Sequence, residues 1–166
     1  METPGARPLL TPDHRAMIAR GVSVIVSSCG LDLTPSLMRA VGSQISADGD
    51  RITVYLNRLQ SAQVLRDVAS TGRIAVVFSE PHSHRTVQVK SHKARLREVT
   101  RDDAPLLQRY LLAMQLELGR VGVMPHFVEA MFAHSFEDLS AIEFTPSHAF
   151  DQTPGPHAGR PLKSAR

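Results

Sequence analysis

The run His84-Arg85-Thr86-Val87-Gln88-Val89-Lys90-Ser91-His92-Lys93-Ala94-Arg95-Leu96-Arg97-Glu98-Val99 decides how this chain folds. It reads as one extended segment, and its length suggests a strand that bends from one part of a barrel to another. Immediately before it, residues 73–79 (RIAVVFS) form a β-branched strand, and Glu80-Pro81-His82-Ser83 makes the turn between the two. Upstream of that pair lies a helix over 62–71, capped by Ser61 and ended by Gly72, with Ala62, Leu65, Val68 and Ala69 on one stripe.

Three further strands precede this helix. Residues 22–28 (VSVIVSS) alternate, residues 36–45 (SLMRAVGSQI) follow a turn from Gly30 to Pro35, and residues 51–56 (RITVYL) follow the hairpin turn Ala47-Asp48-Gly49-Asp50. Thr11 and Pro12 open a short first helix that stops at Gly21. Downstream of the long strand, Thr100 and Asp103 form a capping box. The helix they open carries Leu107, Tyr110, Leu111, Met114 and Leu118 on one face. A short helix over 125–133 and a last strand over 139–144 complete the pattern. The order is helix, three strands, helix, two strands, two helices, strand. It predicts a mainly β fold with helices, a closed or partly closed barrel, and not a doubly wound sheet, which would alternate strand and helix throughout. No dinucleotide or phosphate-loop glycine motif is present.

The length of 166 residues suits one core, and 42% apolar residues suffice to fill it. Residues 1–10 read as a loose N-terminus, 11–144 as the folded domain, and 145–166 as a tail rich in Pro, Gly and His without periodicity. The net charge of +3 is carried by scattered arginines, not by a stripe, which argues against a nucleic-acid surface and suits a small anionic ligand. The single cysteine, Cys29, permits no internal disulfide. No apolar segment approaches a membrane span or a signal core, so no membrane partner is expected and a cytoplasmic location is.

Three blocks together resemble the pyridoxamine 5′-phosphate oxidase-like, FMN-binding split-barrel superfamily. They are Pro35-Ser36-Leu37-Met38-Arg39-Ala40-Val41-Gly42, then Ile52-Thr53-Val54-Tyr55-Leu56-Asn57 with the helix from Ser61, and His84-Arg85-Thr86-Val87-Gln88-Val89-Lys90. The closing run Phe150-Asp151-Gln152-Thr153-Pro154-Gly155-Pro156 resembles the ending of a bacterial subgroup of that superfamily. The resemblance implies a homodimer of split barrels with FMN in a cleft between subunits. The tail over 145–166 is either disordered or docks along that cleft and covers the flavin, with Phe150 and Leu162 as anchors. The resemblance places Arg39 at the family's strand arginine, has Ala40 and Val41 offer main-chain groups to the ring, and lines the next strand with Tyr55 and Leu56. Ser61, Ala62 and Gln63 would stand at the phosphate end, and Thr86 and Gln88 would face the ring or its ribityl chain.

The oxidases proper carry a basic pair just after the capping serine, where this chain has Ala62 and Gln63. Arg39, Arg58 and the helix start at Ser61 are the partial replacements. The departure speaks against pyridoxamine phosphate oxidation itself. The expectation is an FMN-dependent oxidoreductase of undefined small-molecule substrate, with an electron donor such as NAD(P)H. The alternatives are a non-catalytic flavin-binding or stress-related protein and a haem-binding split barrel. Arg39 or Arg85 is the candidate cation for reduced flavin. No acid–base pair stands out, so no catalytic residue is assigned. His82, His84 and His92 lack a third ligand at recognisable spacing and read as surface turn histidines, with no metal expected.

Overall fold

The computed structural model describes residues 9–163. Nine strands and four α-helices follow one another in the order α1 (Pro12–Arg20), β1 (Ser23–Cys29), β2 (Pro35–Arg39), β3 (Gly42–Ile45), β4 (Ile52–Asn57), α2 (Ala62–Thr71), β5 (Ile74–Ser79), β6 (Thr86–Ser91), β7 (Arg95–Arg97), α3 (Ala104–Gly119), α4 (Pro125–Met131), β8 (Leu139–Phe144) and β9 (His148–Asp151). They build two antiparallel sheets, one of order β2-β1-β5-β6-β9 and one of order β3-β4-β8-β7.

Two segments read as single strands each cross from one sheet to the other. The segment 36–45 breaks between neighbouring residues: the Ala40 N–H donates to Val24 of β1, and the Val41 N–H donates to Tyr55 of β4, at 3.0 and 2.8 Å. Gly42 permits this corner, because a Cβ there would lie 2.6 Å from Leu107 Cδ2 on α3. The long run 84–99 breaks at His92–Ala94 into β6 and β7, as its length suggested. This second corner is pinned by Gly72, the left-handed cap of α2 (φ +64°), whose carbonyl accepts from the Ala94 N–H at 2.9 Å.

The alternating strands explain the core. In β1 and β5 the even residues Val24, Val26, Val76 and Phe78 are fully buried between the layers, and their odd neighbours are half-buried on the opposite face. Strand β4 is buried on both faces, because α3 packs over the side that carries Tyr55.

The described chain ends are more ordered than a loose N-terminus and a disordered tail would be. Leu10, within the stretch read as loose, is buried in the core, whereas residues 1–8 lie outside the described residues. The stretch read as an aperiodic tail supplies β9, which pairs with β6 from Val87–Asp151 to Lys90–His148, and Phe150 bridges back to Pro161. Four residues are too short to show a period, and it is the free edge of β6 that orders them. No described helix is long and apolar enough to cross a membrane.

Candidate ligand-binding face

Strand register assembles part of the expected site and separates the rest. On the face of the five-stranded sheet turned away from the core, Arg39 pairs with Ile25, Ile25 with Val77, Val77 with Gln88 and Gln88 with Phe150. Arg39 and Gln88 therefore stand in one cross-strand row, three strand spacings or about 14 Å apart. Thr86 lies on the same face beside Ser79, their hydroxyls 2.7 Å apart. The floor between Arg39 and Gln88 is made of half-buried Ile25, Ser27, Ala75 and Val77, and Leu37 on the edge strand is 66% exposed.

Arg39 is exposed, and its guanidinium lies 6.0 Å from the centre of the Phe132 ring. Gln88 accepts a long hydrogen bond from Gln152 at 3.5 Å. Arg85, the other candidate cation, turns towards Asp13 of α1 at 4.0 Å.

Ala40, Val41, Tyr55 and Leu56 do not join this row. The N–H groups of Ala40 and Val41 are spent within the chain on the corner between the sheets. Tyr55 and Leu56 are wholly buried. The Tyr55 hydroxyl donates to Asp103 Oδ1 at 2.7 Å and accepts from Arg97 and from Gln44 Nε2, each at 3.1 Å. Arg97 meets both oxygens of Asp103, at 2.9 and 3.0 Å. Burial raises the Tyr55 hydroxyl well above its ordinary value, reinforced by the neighbouring Asp103 carboxylate. Burial also works against ionisation of Asp103, but hydrogen bonds from Arg97, the Thr100 N–H and Tyr55 prevail and hold the carboxyl down at about 2. Asp103, expected only to cap a helix, thus ties β4, β7 and α3 together.

Ser61 also departs from its expected role. It precedes α2, yet its hydroxyl makes no capping bond, because the backbone (φ −104°, ψ 13°) is not the extended conformation an N-cap uses. The hydroxyl is buried and has no partner among the described residues. Gln63 turns along the helix to donate to Asp67 at 2.8 Å, and Arg58 donates to the Leu139 carbonyl at 2.8 Å. Gln63 brings no charge, whereas the exposed Arg58 keeps its charge with one N–H committed to that carbonyl. Of the expected phosphate-end groups, Ser61 with the first turn of α2 keeps an uncommitted polar atom, and Arg39 keeps an uncommitted charge.

His82 and His92 find different neighbours. His92 packs edge-on against His148 with ring centres 6.3 Å apart. His82 joins Glu80 and Glu117, a grouping the sequence did not suggest because Glu117 reads as an ordinary helix residue.

No protein-family model matches the sequence, and no curated protein matches it. Solved structures do. A protein of Lactobacillus delbrueckii assigned provisionally as a pyridoxamine 5′-phosphate oxidase superposes with a TM-score of 0.51 at 12% identity, over 85% of this chain and 93% of that one. An F420 reductase gives 0.51 at 14% identity, over 84% and 98%. HutZ, the haem storage protein of Vibrio cholerae, gives 0.50 at 11% identity, over 86% and 94%. The fold, two antiparallel sheets with helices, is shared with these solved structures.

Proposed function

We propose that this chain is a homodimeric FMN-binding flavoprotein, an oxidoreductase that acts on a small molecule, with the flavin on the outward face of the five-stranded sheet. The observation that carries the reading is the row from Arg39 to Gln88. It offers a fixed cation and a neutral amide at opposite ends of a floor of small and apolar side chains. A planar ring needs such a floor, and a half-buried apolar face with an exposed Leu37 is the kind of surface that a second copy covers.

The chain fits the cofactor's two polar ends. The unpartnered Ser61 hydroxyl beside the start of α2 suits the phosphate, and Arg39 suits the negative charge that the ring gains on reduction. Bound there, the flavin supplies two-electron chemistry to a substrate. The protein's own share is to hold it, to bias its charge through Arg39 and to exclude water by closing the dimer.

Titrating FMN into purified protein, followed by quenching of flavin fluorescence, tests the assignment. Arg39→Ala is expected to weaken binding by ~10-fold or more, the loss of one charge-assisted contact. Undiminished affinity in that variant refutes the site. Sedimentation of the FMN-bound protein as a monomer refutes the dimer. The haem alternative is favoured by the likeness to HutZ, and a Soret band in freshly purified protein would establish it in place of the flavin. Turnover with NAD(P)H and an electron acceptor separates an enzyme from a binder.

A further inference from the structure

Glu80, His82 and Glu117 form a polar centre that shares no residue with the Arg39–Gln88 row. Glu80 follows the last residue of β5, His82 sits in the turn before β6, and Glu117 lies in the last turn of α3. The turn is closed by two backbone bonds, Glu80 N–H to Arg85 and His84 N–H to Glu80, each 2.9 Å. Both carboxylates are buried, and the imidazole between them is exposed.

Each carboxylate commits one oxygen to an arginine and turns the other towards His82, where Glu80 Oε2 also accepts from the Ser83 hydroxyl at 2.5 Å. Glu80 Oε1 accepts from Arg20 at 2.8 Å, and Glu117 Oε1 accepts from Arg120 at 2.9 Å. The inward oxygens face the two ring nitrogens of His82. Nδ1 is 2.7 Å from Glu117 Oε2, but Nε2 stands 3.9 Å from Glu80 Oε2. The first distance is a hydrogen bond; the second is too long for one. A proton shared with Glu117, or an ion in its place, satisfies Nδ1, and Nε2 has no hydrogen bond among the described residues.

We propose that Glu80, His82 and Glu117 are the ligands of a divalent transition-metal ion of the zinc class. Ligand atoms of the three residues lie within 4.8 Å of one another. An ion with bonds of about 2.0–2.2 Å reaches all three after closure of less than about 1 Å, which the exposed ring and two long carboxylate side chains supply. Arg20 and Arg120 hold the outer carboxylate oxygens, as outer partners of metal ligands do, and Arg120 Nη1 also stands 3.3 Å from His82 Nδ1. They also cancel the two negative charges. A site with one nitrogen, two oxygens and little net charge disfavours Ca²⁺ and Mg²⁺, which depend on many charged or neutral oxygens. The cluster opens on a cleft of about 450 Å³ lined also by Ala113 and Leu116, so the ion's remaining positions are reachable by water or a small ligand.

The assignment is independent of the flavin reading, and its test uses the metal alone. Zn²⁺ is titrated calorimetrically into the full chain after dialysis against EDTA. One ion per chain is expected, not displaced by excess Mg²⁺ or Ca²⁺. His82→Gln is expected to weaken binding by ~10-fold or more. His82 is exposed, so this variant should melt as the parent does in EDTA, and that melt is measured alongside. Glu117→Gln should weaken binding similarly, whereas His126→Gln on α4 should leave it unchanged. Absence of binding, displacement by Mg²⁺ or Ca²⁺, undiminished affinity in His82→Gln or loss of affinity in His126→Gln overturns the proposal.

Discussion

Replacing Asp103 by Asn should destabilise the protein by an amount that depends on pH in a calculable way. The carboxyl titrates at about 2 in the folded chain, against an ordinary value of 3.8. Because the folded value is depressed, the stabilisation is fully present above the unfolded value and is lost as pH falls through the folded one. The difference corresponds to about 2 kcal/mol near neutrality, and to about 1 kcal/mol at pH 3, where the unfolded carboxyl is already mostly protonated. Asn keeps one acceptor but gives up the two-point ion pair with Arg97 and the charged acceptor of the Tyr55 hydroxyl. Urea denaturation followed by circular dichroism should therefore show Asp103→Asn less stable by about 2 kcal/mol at pH 7, or about 4–8 °C in Tm for a chain of this size. The same comparison at pH 3 should give about half that loss. The comparison of parent with variant cancels the acid sensitivity of the other carboxylates. An equal loss at both pH values would show that Asp103 acts by shape alone and would refute the electrostatic account of this junction.

Gly42→Ala should cost about 1–3 kcal/mol, because the new Cβ meets Leu107 Cδ2 at 2.6 Å; trimming Leu107 to Ala in the same chain should recover part of that loss, read as non-additive shifts in denaturation midpoint. Ser61→Ala should leave the ligand-free protein as stable or up to about 1–3 kcal/mol more stable, since it removes a buried hydroxyl without a partner, and should lower FMN affinity at the same time. A loss of ligand-free stability would instead mean that the hydroxyl already has a partner.

The strands were legible because their residues alternate, and the core side of β1 and β5 follows from that period alone. The corner at Ala40–Val41 was not, because neither residue breaks a strand. The corner shows only in the pairing of Ala40 with one sheet and Val41 with the other, and Leu107, far along the sequence, packs over Gly42 just after it. The corner at His92–Ala94 could be anticipated from length, but its position depends on the Gly72 carbonyl. In the candidate site, Arg39, Thr86 and Gln88 were legible from the resemblance and do share a face. Ser61 was misread as a cap because a serine before a helix is the commonest capping arrangement, and only the backbone angles reveal that this one cannot turn back. Asp103 was read locally, since its Thr100 partner is close in sequence; Arg97 and Tyr55 reach it only through sheet pairing. Glu117 carried no signal, because its partners belong to a turn 35 residues away.

The two-sheet arrangement explains why these features do not interfere. A strand that crosses between sheets exposes different faces before and after its corner. Residues 35–39 therefore present Leu37 and Arg39 outward on one sheet, whereas Gly42 and Gln44, a few positions on, lie beneath α3 on the other. The Asp103 junction holds α3 against that second sheet and so fixes the position of Leu107 over the corner. Arg39 sits at the start of the same corner. Loosening the junction should thus disturb the orientation of Arg39 without touching the floor of Ile25, Ala75 and Val77, which belongs to strands paired on both sides. Asp103→Asn is accordingly expected to reduce ligand affinity through Arg39 alone. In an Arg39→Ala background the same substitution should have no further effect on binding, although it should still lower stability.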